Sequence, residues 1–131
     1  MARVNIMSWN IRGMYTPSRR YAIFAYLKRH AVGIACLQET HITLLEAQRL
    51  RKRWRGQLFA THYSAYARGA LVWVRAGVPF EKMDCVIDPM GRYVFVRGRL
   101  DGRVVVLGSV YAPNTEQALF HRELSRVLAP W

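Results

Sequence analysis

Residues 32–40 read VGIACLQET: an apolar run from Val32 to Leu37 that ends in Gln38, Glu39 and Thr40. A short run that is apolar on both faces is typical of a central strand covered on both sides of a sheet. The polar residues that follow mark where this strand reaches the surface. We therefore expect Glu39 to lie at a sheet edge.

The preceding residues predict a second strand parallel to the first. Residues 4–9 form a short strand that ends at Asn10, and Thr16 with Pro17 supplies the cap and first position of a helix that runs to His30. Strand, helix, strand in this order indicates a βαβ unit with a right-handed crossover. Because parallel strands end at one edge, Asn10 and Glu39 should be neighbours in space.

The rest of the chain predicts more strands and two further helices. A capping box, Thr43 with Glu46, begins a helix to about Trp54. We expect an edge strand over 57–66, a buried strand over 69–74, and a strand over 83–87. An Asp-Gly pair at 101–102 between β-branched runs predicts a hairpin whose second arm continues to Asn114. Asn114 is expected to cap a last helix with one apolar face, formed by Leu119, Phe120, Leu124 and Leu128.

The composition restricts the function classes. The 131 residues carry 20 Lys and Arg, 17 of them Arg, against 8 Asp and Glu, a net charge of +12. Such a charge attracts polyanions, nucleic acid first, and arginine suits phosphate. The sequence lacks an apolar run long enough for a membrane span, a signal peptide, and paired cysteine spacing for a disulfide scaffold. We expect an intracellular protein, nuclear in preference, with no membrane partner.

A dense basic cluster lies between Arg49 and Arg55. It could be a nuclear localisation signal or a phosphate-binding face. The alternative, which we favour from sequence, is the solvated side of a helix whose apolar side is Leu45, Leu50 and Trp54.

Polar groups are expected to converge where three strands end. Asn10 and Glu39 share the predicted edge, and Tyr111 and Asn114 join them if the later strand runs the same way. Mg²⁺ prefers oxygen ligands, often one carboxylate or two with substrate phosphate and water. Tyrosine and asparagine can hydrogen-bond phosphate. Each residue alone has an ordinary alternative, as a turn or surface residue.

Four stretches carry a family resemblance: residues 8–13 (SWNIRG), 37–41 (LQETH), 91–94 (GRYV) and 110–114 (VYAPN). In this order they resemble the endonuclease/exonuclease/phosphatase superfamily. More narrowly, they resemble the apurinic-endonuclease-like domain that opens the reverse-transcriptase protein of LINE-type retrotransposons. The resemblance covers nearly the whole chain. It implies a four-layer α/β/β/α sandwich of the deoxyribonuclease I-like fold, of which residues 1–131 would be a partial domain lacking its C-terminal part.

The resemblance also implies roles. Family members hydrolyse phosphate esters with Mg²⁺ or Mn²⁺, and the nuclease branch acts on DNA. Glu39 would bind the metal, Asn10 would hold metal or phosphate, and Tyr111 would be the catalytic tyrosine on phosphate. Asn114, in the same motif as Tyr111, would contact substrate, while His41 is expected to be structural or peripheral. On the hairpin, Arg97 and Arg99 could contact the DNA backbone, although strand arginines are usually just exposed.

The sequence departs from the family in its later motifs. An Asp-Phe-Asn motif and a Ser-Asp-His motif are expected but absent, no Asp follows Asp101, and the only later histidine is His121. We therefore expect the front part of a metal-dependent endonuclease, inactive alone. The alternatives are a non-catalytic nucleic-acid-binding remnant and, within the superfamily, a phosphatase on lipid or inositol phosphates. An incomplete sandwich would also expose its inner sheet face and self-associate.

Overall fold

The computed structural model describes residues 3–131, and in that range the chain forms seven strands and three helices. The strands are β1 (Asn5–Asn10), β2 (Val32–Gln38), β3 (Gly56–Ala60), β4 (Ala70–Arg75), β5 (Phe80–Ile87), β6 (Tyr93–Leu100) and β7 (Arg103–Val110). The helices are α1 (Pro17–Arg29), α2 (Leu44–Arg53) and α3 (Gln117–Leu128). Within residues 3–131, no helix has the length and apolar character needed to cross a bilayer.

The first sheet has the strand order β1-β2-β4-β3, and its β1–β2 pair is parallel, as the βαβ pattern predicts. Thr16 caps α1 by accepting a hydrogen bond from the N–H of Arg19 at 3.3 Å. The predicted edge strand is confirmed in β3, although it ends at Ala60 rather than near residue 66. The backbone of Thr61 and its hydroxyl both bond to Ala70, and the chain then leaves the sheet.

The second sheet is the antiparallel meander β5-β6-β7. The predicted hairpin joins β6 to β7 through Asp101 (φ 50°) and Gly102 (φ 85°). Positive φ at both central residues is the requirement of a type I′ turn, whose twist matches that of the flanking strands. The dipeptide therefore fixes the register in which Leu100 faces Arg103.

Two sheets and two helical layers give the four-layer order that the resemblance implies. The inner faces of the sheets share one core, which includes Ile34, Val72, Val94 and Val96. On the outside of the first sheet, α1 and α2 bury a second cluster that includes Leu27, Leu50 and Trp73. On the outside of the second sheet, α3 packs Phe120 against Tyr93 and Phe95.

Cover of the inner face is incomplete at β1. Four strands face three, and the inner-face residue Ile6, whose register partner is the buried Ile34, is 58% exposed. One apolar side chain on the inner face of β1 therefore meets water. The remainder of that face, along β2 and β4, is buried.

The start of α3 corrects the sequence prediction. The helix begins at Gln117 after Glu116, which has a left-handed backbone (φ 55°), so Asn114 is not its cap. The predicted apolar face holds for Phe120, Leu124 and Leu128, but Leu119 is 57% exposed. Contacts outside the helix fix how α3 is turned about its axis. The inward-facing carboxylate of Glu123 accepts hydrogen bonds from the side chains of Arg92 and Tyr93.

Candidate active site

The loop after β1 runs alongside the end of β2. Asn10 faces Gln38 in the parallel register. Beyond the strands, the N–H of Ile11 donates to the Gln38 carbonyl at 3.1 Å, and the N–H of Gly13 donates to the Glu39 carbonyl at 2.6 Å. Asn10 and Glu39 therefore lie at the same sheet edge, as predicted from the βαβ pattern.

The end of β7 reaches this edge from the other sheet. The Ser109 hydroxyl donates to the Leu37 carbonyl at 2.8 Å, and Gln38 Nε2 donates to Ser109 Oγ at 3.1 Å. Tyr111 follows two residues later, with its N–H bonded to the Arg92 carbonyl at 2.7 Å. The structure thus brings the ends of β1, β2 and β7 together, and with them Asn10, Glu39 and Tyr111. We call this region the strand-end edge.

Backbone strain is concentrated at the strand-end edge. Four non-glycine residues there have positive φ: Arg12 (51°), Glu39 (54°), His41 (52°) and Arg68 (61°). Each such residue costs on the order of 1 kcal/mol and persists only where its surroundings impose it. Such strain is commonest at sites that position a functional group, so the observation supports a site at Glu39 independently of its charge.

Close contact with the backbone of residues 68 and 69 imposes the conformation of Glu39. Thr40 is fully buried, and its N–H and that of His41 bond to the carbonyls of Gly69 and Arg68. Gly69 has φ 110°, and a Cβ on it would lie 2.2 Å from Thr40 Oγ1. Only glycine fits here, so Gly69 permits the close approach of the two backbones before β4.

The donor set at the strand-end edge suits a divalent cation held by one carboxylate. Glu39 is half-buried, and within residues 3–131 its carboxylate has no hydrogen bond and no ion pair. Asn10 Oδ1 accepts a bond from the N–H of Arg12 at 3.2 Å. The described residues form no group of three His, Cys, Asp or Glu that could hold a metal alone. A cation here would depend on water and substrate oxygens for its other ligands, as Mg²⁺ does.

Arg97 and Arg99 lie away from this arrangement, whereas His41 and Asn114 lie in the loops that follow β2 and β7. Arg97 pairs with Asp84 at 2.7 Å and lies over the Trp131 ring, and Arg99 lies near the hairpin end of β6. Since Tyr93 at the other end of β6 faces Val110, Arg99 is roughly 20 Å along the strand from the strand-end edge. The structure does not bring either arginine to the site. Asn114 is exposed in the loop after Tyr111, and His41 packs against Gly13.

A buried ionic network beside Tyr111 was not anticipated from the sequence. The carboxylate of Asp88, 3% exposed, accepts bonds from the Arg92 side chain and from the N–H groups of Met90 and Arg92. Arg92 also pairs with Glu123 at 2.5 Å. Burial acts to raise the pKa of Asp88, but these hydrogen bonds outweigh it and hold the pKa below its usual value. The only signal in the sequence was Arg92 in the GRYV stretch.

Comparisons with known proteins agree with this fold. Residues 7–130 match the Endonuclease/Exonuclease/phosphatase family. An uncharacterized 149 kDa protein of transposon TX1 from Xenopus laevis is 28% identical over 124 residues, which are 93% of this chain and 10% of that protein. The similarity to retrotransposon proteins inferred from the four motifs is thereby confirmed.

Solved structures share the fold at low sequence identity. That of D. rerio TDP2 complexed with single strand DNA product has a TM-score of 0.67 at 18% identity, covering 97% of this chain and 56% of that chain. The endonuclease domain of TRAS1, a telomere-specific non-LTR retrotransposon, has a TM-score of 0.65 at 14% identity, with coverages of 98% and 53%. The chain thus spans about half the length of these structures and a tenth of the transposon protein.

Proposed function

The chain belongs to the Endonuclease/Exonuclease/phosphatase family, and on that premise we propose that it is the amino-terminal part of a retrotransposon-type DNA endonuclease domain. The observation that carries the proposal is the convergence of Asn10, Glu39 and Tyr111 at the strand-end edge. The fold alone would not carry it, because one fold serves many functions.

Within this proposal, each residue has a separate task. Glu39 binds a divalent cation, Mg²⁺ or Mn²⁺, which when bound stabilises negative charge on a phosphate oxygen. Asn10 holds the cation's water or a phosphate oxygen, and Tyr111 donates its hydroxyl to phosphate. Asn114 is a further candidate for substrate contact, since it follows Tyr111 in the same loop.

The chain by itself is proposed to be inactive. The residues that would orient a nucleophile, in the Asp-Phe-Asn and Ser-Asp-His motifs of the family, have no counterpart in the 131 residues. Loss of a general acid–base alone costs roughly 10²–10⁴ in rate. The exposure of Ile6 supports the proposal that these residues are part of a larger sandwich, since a second sheet as wide as the first would cover it.

Two measurements test the assignment. In the first, the purified, folded chain is incubated with supercoiled plasmid, with Mg²⁺ and with chelator, beside Glu39→Ala. We expect no metal-dependent nicking. In the second, Mn²⁺ is titrated into isotope-labelled protein, and we expect paramagnetic broadening of the amide signals of Asn10 and Glu39. Glu39→Ala should abolish the broadening.

Glu81→Ala is the matched control, because Glu81 is an exposed carboxylate on β5 opposite Arg99, far from the strand-end edge. It should leave the Mn²⁺ response unchanged. Broadening that survives Glu39→Ala would refute the metal assignment. Nicking that requires Mg²⁺ and disappears in Glu39→Ala would refute the proposed inactivity and retain the site.

A second candidate function is nucleic-acid binding without chemistry, favoured by the net charge of +12. It makes the same prediction for nicking but none for Mn²⁺ at Glu39, so the second measurement separates the two. Nuclear residence remains a prediction under either function. Self-association through the open side of β1 remains a prediction, which size-exclusion chromatography with light scattering would test against a monomer.

A further inference from the structure

The outer surface of α1 and α2 carries a cationic groove that the strand-end edge does not use. It has a volume of about 590 Å³. Its cations come from both helices: Arg20 from α1, and Arg49, Lys52 and Arg53 from α2. No aspartate or glutamate lines it. The sequence favours a solvated helix face for the basic cluster of α2, but α1 lies beside it, and the two helices together form a concave surface.

Within residues 3–131, the cations of this groove form no ion pair, although the charge of Glu46 acts on Arg20. None of its four cations has a carboxylate within 4 Å, whereas Arg92 and Arg97 elsewhere in the chain do. The nearest acid is Glu46, whose carboxylate is buried and bonded to the N–H of Thr43 at 3.3 Å. Unpaired like charges repel one another, and a bound polyanion would remove that repulsion.

The side chain of Arg20 is held in place by the protein itself. It is 9% exposed, and its guanidinium donates to the carbonyls of Met14, at 3.2 Å, and Tyr15. Burial lowers the pKa of Arg20. The charge of Glu46 acts to raise it, whereas the positive charges of Arg49 and Arg53 act in the same direction as burial. A guanidinium held by two carbonyls is already oriented, so it loses little freedom when it binds phosphate.

The aromatic residues of the groove distinguish a nucleic acid from a bare anion. Trp54 is buried and packs against Phe24, with the two rings tilted and their centroids 5.4 Å apart, so the floor of the groove is apolar and closely packed. Tyr21 lies among the cations with 77% of its surface exposed. An exposed ring beside phosphate-binding cations is the combination that binds unpaired bases by stacking.

We propose that this α1–α2 groove binds single-stranded nucleic acid, with Arg20, Arg49, Lys52 and Arg53 on its phosphates and Tyr21 under a base. The site is separate from the metal site assigned to Glu39 and does not depend on it. Double-stranded nucleic acid fits less well, because its bases are already stacked and unavailable to Tyr21.

The test measures binding of a fluorescein-labelled oligothymidylate to the full chain by anisotropy, over a range of salt concentrations. The triple variant Arg49→Gln, Lys52→Gln, Arg53→Gln should weaken binding about tenfold or more at 0.1 M salt. The slope of log K against log salt should fall by about 2, since each single-strand phosphate contact contributes roughly 0.7. All three residues are exposed, so the fold should persist.

The matched control removes the same charge elsewhere, through Arg103→Gln, Arg122→Gln and Arg126→Gln, all exposed. It should change the affinity by less than about threefold. Equal weakening by the two triple variants would overturn the proposal in favour of binding by net charge. Glu81→Ala, at an exposed carboxylate outside both sites, should bind as the unmodified chain does. All measurements are made without divalent cation, so failure of the metal assignment would not be mistaken for failure of this one.

Substitution of Tyr21 provides an independent test of the proposed stacking contact. Tyr21→Ala should weaken oligothymidylate binding about fivefold or more without changing the salt slope, and Tyr21→Phe should retain binding. No effect of Tyr21→Ala would overturn the stacking contact. A loss of binding to anionic phospholipid vesicles in the groove triple variant, with oligothymidylate binding intact, would overturn the proposal in favour of a membrane surface.

Discussion

Helices α1 and α2 cover one sheet through a continuous apolar layer, whereas α3 covers the other through a small aromatic contact and a network of charges. The first cluster contains fifteen buried apolar residues. The cluster under α3 contains three, Tyr93, Phe95 and Phe120, and beside it lies the network of Asp88, Arg92 and Glu123. Both layers bury a sheet face, but by different forces.

This difference predicts which part of the molecule unfolds first. Burial of apolar surface is insensitive to pH and spread over many contacts, so no single charge governs the α1–α2 layer. The α3 layer depends on a few directional bonds and has less apolar area, so local unfolding should cost less there. Since Tyr111 bonds to the Arg92 backbone, loosening of α3 would also reach the strand-end edge.

The largest effect is expected in the apolar layer. Leu27 is fully buried between α1 and the first sheet. Leu27→Ala should lower the free energy of unfolding by about 3 kcal/mol, because it leaves a cavity that the layer cannot fill. The same change at Leu119, exposed on α3, should cost less than about 0.5 kcal/mol. Urea denaturation measures both, and similar losses would show that α3 packs more deeply than the structure indicates.

A smaller effect is expected from the ionic layer. Asp88→Asn preserves the shape but leaves Arg92 short of its main partner, which should cost about 2 kcal/mol. Hydrogen exchange should locate the loss in α3 rather than in α1. Asp84→Asn is the control, since its pair with Arg97 is more exposed and should be worth less than about 1 kcal/mol. Uniform loss of protection across all three helices would contradict local opening.

The smallest effect is a pH dependence confined to α3. The lowered pKa of Asp88 means that its contribution to stability is present above the ordinary carboxyl pKa and is lost as pH falls through the lowered value. Burial first, and then the hydrogen bond to Glu123, raise the pKa of Tyr93 to about 12. Its contribution is present below about 10 and lost as pH rises through about 12.

A pH titration followed by NMR would test this dependence. The native signals of α3 should be lost at both extremes before the native signals of α1 are lost. The Tyr93→Phe variant should lose the alkaline transition and keep the acidic one. An alkaline transition that is unchanged in Tyr93→Phe would assign it to another group.

Much of the fold was predictable because several signals are local. The run from Val32 to Leu37, the Thr16 cap and the Asp101–Gly102 turn each determine their own element. Prediction was wrong where tertiary contacts decide. The start of α3 follows from Glu116 and the pairing of Glu123 with Arg92, which links residues far apart in the chain.

The sequence was enough to predict which residues meet at the candidate site, but not the backbone geometry that holds them there. Parallel strands bring Asn10 and Glu39 to one edge whatever the details. The positive φ of Glu39 and the buried hydroxyl of Thr40 depend on the path of the chain near Gly69, for which the sequence carries no periodic signal. The α1–α2 groove escaped prediction for a similar reason, since its cations belong to two helices whose contact no local pattern reveals.

Gly69 also determines how far sequences of this kind can diverge. Its carbonyl accepts from the N–H of Thr40, and its own N–H donates to the carbonyl of Gly91, so one residue joins the Glu39 segment to the turn before β6. Exposed helix positions such as Arg51 can change freely under selection for folding alone. Position 69 cannot, because every side chain collides with Thr40. Descendants of this gene that keep the fold should retain glycine there long after their catalytic and basic residues have drifted.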